Sequence, residues 1–296
     1  MRNKRLIILL SVLGGVVVLI VVMSIVFTVY HIEARCIGDY SPTQNEEISR
    51  TSEEIVAAAD DFMYRSIFLF DEEELAAAVD ANVVRAEVRD VVCIFPNKVR
   101  IDYGYVSDDI QVRDEASGNY IIAGASGKIT SLSGNDMSSP EDSSVISVVL
   151  PDGRLPVGSV PGAYMFDEDS FERKATETFV RYAESLKENG EDSGRVFRAA
   201  YKEIDLSDAL KDAGATITVT LRSGFEFVIN GSLNLEGENF TFDNEDTLQS
   251  AVNAMVSFYH EEEDGINGGA GVATVQYSEG SFKVAFDPDA GDRGEI

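Results

Sequence analysis

The stretch VVRAEVRDVVCIFPNKVRIDY, residues 83–103, decides how the first part of this chain folds. Up to residue 89 apolar and charged side chains alternate, which is typical of a strand with one buried face. Phe95-Pro96-Asn97-Lys98 then predicts a turn, and the residues from Lys98 to Tyr103 predict the returning strand. The stretch therefore predicts a β-hairpin.

The residues before this hairpin predict one more strand and two helices. HIEARCIG, residues 31–38, alternates like a strand, and residues 49–65 place apolar side chains at helical intervals. A second helix is expected after Asp71, which stands at an N-cap position before Glu72–Glu74. The order strand, helix, helix, strand, strand over residues 31–105 predicts a small α+β domain with helices covering one face of a sheet.

The four consecutive carboxylates Asp71 to Glu74 raise the question of a catalytic acid cluster. Acid–base catalysis needs two carboxylates held in a cleft with pKa values driven apart. Neighbouring side chains on a first helical turn instead fan around the axis, where they cap free N–H groups and complement the helix dipole. The run is therefore interpreted as a helix start.

The N-terminal segment predicts a membrane anchor. Residues 6–30 contain no charged side chain, and about 20 apolar residues are enough to cross a bilayer. A secretory signal peptide would have a shorter apolar region of about 7–15 residues. The basic residues in positions 1–5 predict a cytoplasmic tail. The expectation is a single-pass protein of the cell membrane, with one transmembrane helix, a cytoplasmic N-terminus and the bulk of the chain outside.

The net charge limits the classes of partner, and the cysteine content limits the disulfides that the chain can form. The 296 residues contain 24 Lys and Arg against 52 Asp and Glu, a formal net charge of −28. Such a surface repels nucleic acid and anionic lipid and favours a basic partner or a cation-rich setting. Cys36 and Cys93 either pair or remain two buried thiols, because two cysteines do not make a disulfide framework.

Residues 106–287 predict a second, mixed β/α domain, and residues 288–296 a disordered tail. Helical periodicity is visible over 167–190 and again over 244–263, and alternating strands lie between them. The stretch GVATVQYSEGSFKVAF, residues 271–286, predicts a final hairpin. The whole fold is therefore expected to be α+β, with a single transmembrane helix followed by two domains.

Enzymatic chemistry finds little support in the sequence. The two histidines, His31 and His260, lie at the membrane boundary and in an acidic helix end, and no G-x-S-x-G nucleophile motif is present. Zinc would need about four suitably spaced ligands. Calcium is the alternative for acidic groups such as Asp167, Asp169 and Glu172, although charge runs more often form solvated faces. We expect no catalytic residues, metal, cofactor or small-molecule substrate.

A binding surface is better supported, at the final hairpin. One of its strands is expected to be a sheet edge, whose unpaired N–H and C=O groups can accept an extended partner strand. The predicted partner-binding residues are Thr274, Gln276, Tyr277, Phe282, Val284 and Phe286.

The order of elements resembles the bacterial cell-division proteins FtsQ and DivIB. The similarity lies in a first strand ending at Gly38, a helix start at Phe68 to Leu75 and a hairpin at Val83 to Ile101. These match the polypeptide-transport-associated (POTRA) domain, here residues 31–105, and residues 106–287 resemble the family's β domain. The chain departs from the family at residues 104–108, where an acidic-Arg-x-Pro segment is usual.

The resemblance implies a non-enzymatic bitopic divisome scaffold at the division septum. Its partners would be the small bitopic proteins FtsL and FtsB/DivIC, and it would help control septal peptidoglycan synthesis. It also implies that partners dock near the end of the β domain. The alternative function is a membrane-anchored exterior sensor or envelope-binding module unrelated to division.

Overall fold

A computed structural model of the chain shows an α+β protein. The residues that it describes are 2–38, 44–114, 118–138, 143–151, 160–187, 192–211, 214–231, 242, 245–262, 266, 271–278 and 281–287. The tail predicted to be disordered, 288–296, lies outside them. The chain divides into two compact units, residues 1–106 and 107–296, one residue beyond the boundary expected from the sequence.

The first helix, α1, spans Arg2–Val26. In the described part of the chain no helix is long and apolar enough to cross a membrane, so the transmembrane helix predicted over residues 6–30 is wrong there. The last residues of the predicted span lie beyond α1: Val29 is fully buried in the core of the first unit, and its N–H donates to the Arg65 carbonyl at 2.9 Å.

Besides α1, the described part of the first unit contains a three-stranded sheet and two further α-helices. In chain order they are β1 (His31–Cys36), α2 (Asn45–Ala58), α3 (Glu72–Asn82), β2 (Ala86–Ile94) and β3 (Lys98–Tyr105). The sheet order is β1-β3-β2, with β1 parallel and β2 antiparallel to the central β3. The hairpin expected from the opening stretch is thus β2 and β3, and β2 is an edge strand.

One face of this sheet carries the core of the first unit. Ile55 of α2, Leu75 and Val79 of α3, and Val99 and Ile101 of β3 are all fully buried in one cluster. Side chains two apart on a strand share a face, so β3 alternates between this core and the opposite face. Burial of such side chains is worth about 1.5–3 kcal/mol each, and it fixes the helices on this side.

The N-cap predicted for α3 is confirmed. The Asp71 carboxylate accepts a hydrogen bond from the Glu74 N–H at 2.9 Å, and Glu72, Glu73 and Glu74 fill the first turn. Glu74 also forms an ion pair with Arg65 at 2.8 Å. The acidic run therefore begins a helix.

The opposite face of the first sheet carries ion pairs. The Asp102 carboxylate receives two hydrogen bonds from Arg35, at 2.9 and 2.7 Å, and two from Arg100, at 3.0 and 3.2 Å. Burial acts to raise the pKa of Asp102, but the two guanidinium groups outweigh it and hold that pKa below its usual range. Glu33 and Lys98 pair beside them at 2.5 Å. Charge pairing across β1 and β3 thus replaces apolar packing here.

Within the described residues, the second unit is built on one nine-stranded sheet. Its strands are β4 (Ile110–Arg113), β5 (Tyr120–Ala123), β6 (Ile129–Ser133), β7 (Ile146–Val149), β8 (Tyr201–Asp205), β9 (Thr216–Leu221), β10 (Glu226–Asn230), β11 (Val272–Ser278) and β12 (Ser281–Asp287). The order is β12-β11-β10-β9-β8-β7-β4-β5-β6, so β12 and β6 are the two edges.

Helices cover one face of this sheet. Between β7 and β8 lie α4 (Phe171–Thr176), a π-helical segment (Glu177–Tyr182), α5 (Ala183–Ser185) and α6 (Ser193–Ala199), and between β10 and β11 lies α7 (Glu245–Glu261). Phe197 of α6 is fully buried, and its ring centroid lies 5.6 Å from that of Phe227 on β10 and 4.9 Å from that of Tyr259 on α7. The core of the second unit is therefore a single layer between these helices and the sheet.

Candidate strand-binding edge

The last two described strands form an antiparallel hairpin at one end of the nine-stranded sheet. β11 runs parallel to β10, with α7 as the connection between them, and β12 returns antiparallel to β11. Among the described strands β12 pairs with β11 alone. One side of its main chain is therefore left without a strand partner there, which is the geometry that strand addition requires.

The hairpin has two different faces, and the residues predicted from sequence divide between them. The register pairs Tyr277 with Phe282, Val275 with Val284, and Ala273 with Phe286. Ala273 and Val275 are fully buried in the helix-covered core, so this face of the hairpin looks toward α7. Tyr277, Phe282, Val284 and Phe286 share that face.

Thr274 and Gln276 lie on the opposite face of β11. Thr274 pairs with Ala285, and Gln276 pairs with Lys283. Gln276, Lys283 and Ala285 are exposed, and Thr274 is half-buried. The structure thus places all six predicted residues on the hairpin but does not bring them together as one surface, because side chains alternate across a sheet.

Aromatic contacts fix the helix-facing side of β12. The ring of Phe286 lies 5.5 Å from that of Phe225 and 6.2 Å from that of Phe258 on α7. Phe282 and Val284 pack half-buried against the core, and the Tyr277 and Phe282 rings are 5.4 Å apart. Phe286 nevertheless stays 43% exposed, so a large apolar side chain remains accessible at the sheet edge.

The face of the large sheet opposite the helices carries acidic side chains on β8 and β10, which sequence reasoning missed. Cross-strand register aligns Glu203, Thr220 and Glu226 in one row. Burial raises the pKa of Glu203, and the nearby carboxylates of Asp205, Asp136 and Glu226 add to that shift. The signal lay in the strict alternation of TITVTL, residues 216–221, but only the strand order shows which acidic side chains become neighbours.

Residues with catalytic or ligand-binding chemistry are scattered. Across the described ranges no group of three or more His, Cys, Asp or Glu side chains is arranged to hold a metal ion. Cys36 and Cys93 are both free thiols in the first unit. Burial raises the pKa of Cys93 to about 11, and the neighbouring Glu72 carboxylate contributes. His31 Nε2 lies 3.9 Å from the Glu33 carboxylate oxygen Oε2 on the same strand.

Comparison with known proteins adds no identification. The sequence matches no family model, and it matches none of the curated proteins. The resemblance to the division family therefore stays a prediction from the order of elements.

Proposed function

We propose that the chain is a non-enzymatic scaffold of bacterial cell division that captures an extended segment of a partner protein on the edge of β12. The partners proposed are the small division proteins of the FtsL and FtsB/DivIC type, and the place of action is the division septum. In this role the protein helps to control septal peptidoglycan synthesis. The observation that carries the proposal is the position of β12 at the end of the sheet, with Phe286 accessible.

Strand addition at this edge has a clear physical basis. A partner strand beside β12 would pair with the main-chain groups on the side of β12 away from β11, and so gain affinity without a specific sequence. Its alternate side chains would lie next to Phe286 and Phe282 on the helix-facing side, which extends the apolar layer by one strand. Aromatic side chains are frequent anchors of protein interfaces because they bury a large area in one contact. The net charge of −28 favours a basic partner.

The experiment is a pull-down from native membranes with the full chain and two matched variants. Phe286→Lys places a charge at the β12 edge, where Phe286 is 43% exposed, and Leu132→Lys makes the same change on β6, where Leu132 is 50% exposed. Both residues lie on edge strands of the same sheet. We expect division proteins with the unmodified chain and with Leu132→Lys, and their loss with Phe286→Lys.

The outcomes separate the site from the function. Capture of division proteins by all three chains would refute the β12 site while leaving the scaffold role standing. Capture by none, together with no enrichment of a fluorescent fusion at mid-cell in dividing cells, would refute the division role. Thermal unfolding of both variants checks that a loss of capture is not a loss of folding. Phe286→Lys is expected to fold, because the lysine can extend its stem along the Phe258 ring and keep its charge in water.

A further inference from the structure

Three segments of the first unit meet at the point where α1 ends. They are residues 27–30, 64–69 and 95–98. Main-chain hydrogen bonds join them: the Val29 N–H donates to the Arg65 carbonyl at 2.9 Å, and the Tyr30 N–H donates to the Asn97 carbonyl at 3.0 Å. The segment that follows α1 is therefore bonded to both of the others, and the three form one end of the unit.

The side chains at this end are large, apolar and exposed. Leu69 is 84% exposed, and Phe68 and Phe95 are each 60% exposed. The ring of Phe68 lies 4.8 Å from that of Phe27 and 5.7 Å from that of Phe95. Exposed apolar side chains that form a contiguous patch mark interaction surfaces. We call this patch the aromatic end, and its members are Phe27, Tyr30, Tyr64, Phe68, Leu69 and Phe95.

The backbone holds one member of the aromatic end outward in a strained conformation. Tyr64 has φ +67°, in the left-handed region that is unfavourable for a bulky side chain. Its N–H donates to the Val29 carbonyl at 2.9 Å, and its ring lies 5.8 Å from that of Tyr30. Strained residues persist only where the surrounding structure holds them, and they are concentrated at functional surfaces. The exposure of Tyr64 is therefore built into the fold.

The charges around the aromatic end are basic and already paired. Its three segments contain no Asp or Glu, although Asp and Glu make up 52 of the 296 residues of the chain. Their two cationic side chains are Arg65, which pairs with Glu74 at 2.8 Å, and Lys98, which pairs with Glu33 at 2.5 Å. The patch therefore has neither acidic groups of its own nor unpaired cations, which suits a neutral apolar occupant.

The helix α1 indicates what kind of occupant this is. Every described side chain of α1, from Val12 to Val26, is exposed, and none of them is charged. A helix that is apolar on all sides has to be covered on all sides in its native setting. Fluid acyl chains can do so, whereas a folded partner contacts one side. Phe27 directly follows this helix and contacts Phe68, so lipid around the last turn of α1 also reaches the aromatic end.

We propose that the aromatic end docks on the surface of a neutral phospholipid bilayer. Phe68, Leu69 and Phe95 would lie among the ends of the acyl chains next to the headgroups. Tyr30 and Tyr64 would lie at headgroup level, where tyrosine is enriched in membrane proteins. Contact with one leaflet is sufficient, and α1 does not have to cross the bilayer. The net charge of −28 disfavours anionic lipid, and the proposal does not depend on the function proposed for the β12 edge.

The test uses tryptophan as a local probe, since the chain contains none. The full chain carrying Leu69→Trp is reconstituted in phosphatidylcholine vesicles. Its emission is compared with that in the same lipid dibrominated in one acyl chain near the headgroup, because bromine quenches tryptophan on contact. We expect emission to fall about twofold, since tryptophan settles at the membrane interface.

A control position lies in the same unit. Ile37 directly follows β1, about 20 Å along the strand from Tyr30, and it is also exposed. With Ile37→Trp in place of Leu69→Trp, we expect the brominated lipid to lower emission by less than about a tenth. The comparison therefore separates contact at the aromatic end from general proximity of the unit to the vesicle.

A second set of variants tests the apolar contact itself. Phe68→Glu together with Phe95→Glu, added to the Leu69→Trp chain, is expected to reduce the quenching at least about twofold, because a charge is costly to transfer into lipid. Ile37→Glu is the matched control and should leave the quenching unchanged. The substituted side chains are exposed, so thermal unfolding of these variants should stay close to that of the Leu69→Trp chain.

Several results would overturn the proposal. These are equal quenching of Leu69→Trp and Ile37→Trp, no quenching of either, or quenching that survives the double glutamate substitution. Quenching that appears only when the protein is diluted in lipid would show that a second copy covers the aromatic end instead. Quenching only in vesicles that contain phosphatidylglycerol would show recognition of an anionic headgroup. Failure of the β12 pull-down leaves the proposal intact, because that measurement reports on the second unit.

Discussion

Replacing Asp102 with asparagine tests whether charge pairing holds the open face of the first sheet. The Asp102 side chain is 7% exposed and receives four hydrogen bonds from Arg35 and Arg100. Charged hydrogen bonds contribute about 1.5–3 kcal/mol when buried. Arg35 is more than half exposed, so its share is reduced by solvent screening. We expect Asp102→Asn to lower the unfolding free energy of this unit by about 2 kcal/mol.

Amide hydrogen exchange of peptides from β1 and β3 measures this loss locally. A loss of about 2 kcal/mol corresponds to roughly thirtyfold faster exchange at pH 7. The guanidinium groups depress the pKa of Asp102, so the stabilisation is fully present above the unfolded-state pKa of about 3.8 and disappears as pH falls through the folded-state value. The difference between wild type and variant should therefore begin to narrow near pH 4 and vanish once the pH lies below the folded-state pKa of Asp102. Glu54→Gln, which breaks the exposed pair with Arg50, is the control and should change little. Equal exchange at pH 7, or a gap that persists in acid, would refute the reasoning.

Two further substitutions test helix ends by thermal unfolding. Asp71→Ala removes the side chain that caps the Glu74 N–H and should cost about 1 kcal/mol, whereas Glu73→Ala keeps the cap and should cost clearly less; equal losses would contradict the capping role. A Cβ at Gly194 would lie 1.9 Å from the Ala183 carbonyl oxygen, so Gly194→Ala should destabilise the second unit by about 3 kcal/mol. A Cβ at Gly134 would meet nothing within 4 Å, so Gly134→Ala should change the free energy of unfolding by at most about 0.5 kcal/mol. Similar melting temperatures for Gly194→Ala and Gly134→Ala would show that α6 can shift freely.

Local chemistry in the sequence was enough to place several elements. The alternation in residues 83–89 and the turn at Pro96 led to the β2–β3 hairpin, because both signals act within a few residues. The sequence pattern predicts that α2 starts at Ser49, whereas the helix begins four residues earlier, at Asn45. Glu46 and Glu47 occupy its first turn, where acidic side chains favour a helix N-terminus.

Long-range pairing could not be obtained in this way. β7 lies between β4 and β8 and is parallel to both, although long chain segments separate the three strands in sequence. No local signal in residues 146–149 predicts that β4 and β8 are the neighbours of β7. The ion pair of Arg198 with Asp109, 3.0 Å apart across 89 positions, depends on the same arrangement. Hydrophobic patterning predicts which face of a strand is buried, but it does not predict which strands lie side by side.

The candidate site shows the same limit at the level of single residues. A hairpin was expected at residues 271–286, and the alternation of VATVQY was visible in the sequence. The six predicted residues nevertheless lie on both faces, because no local signal indicates which face meets α7. Once β11 is placed between β10 and β12, Ala273 and Val275 are buried and the assignment of faces follows.

The β12 edge also has features that oppose pairing with a second copy of the chain. Exposed lysines on edge strands are a common defence against edge-to-edge association, and Lys283 lies at the middle of β12. If two antiparallel copies of β12 paired about Val284, each Lys283 would lie opposite Ala285 of the other copy, and the two lysines would be diagonal neighbours that repel each other. The net charge of −28 adds a general repulsion between copies. A basic partner segment is not repelled by the negative net charge of the chain. Its own basic residues also need not lie opposite Lys283, because its sequence differs from that of β12. The same edge therefore disfavours self-association while it remains open to a different protein.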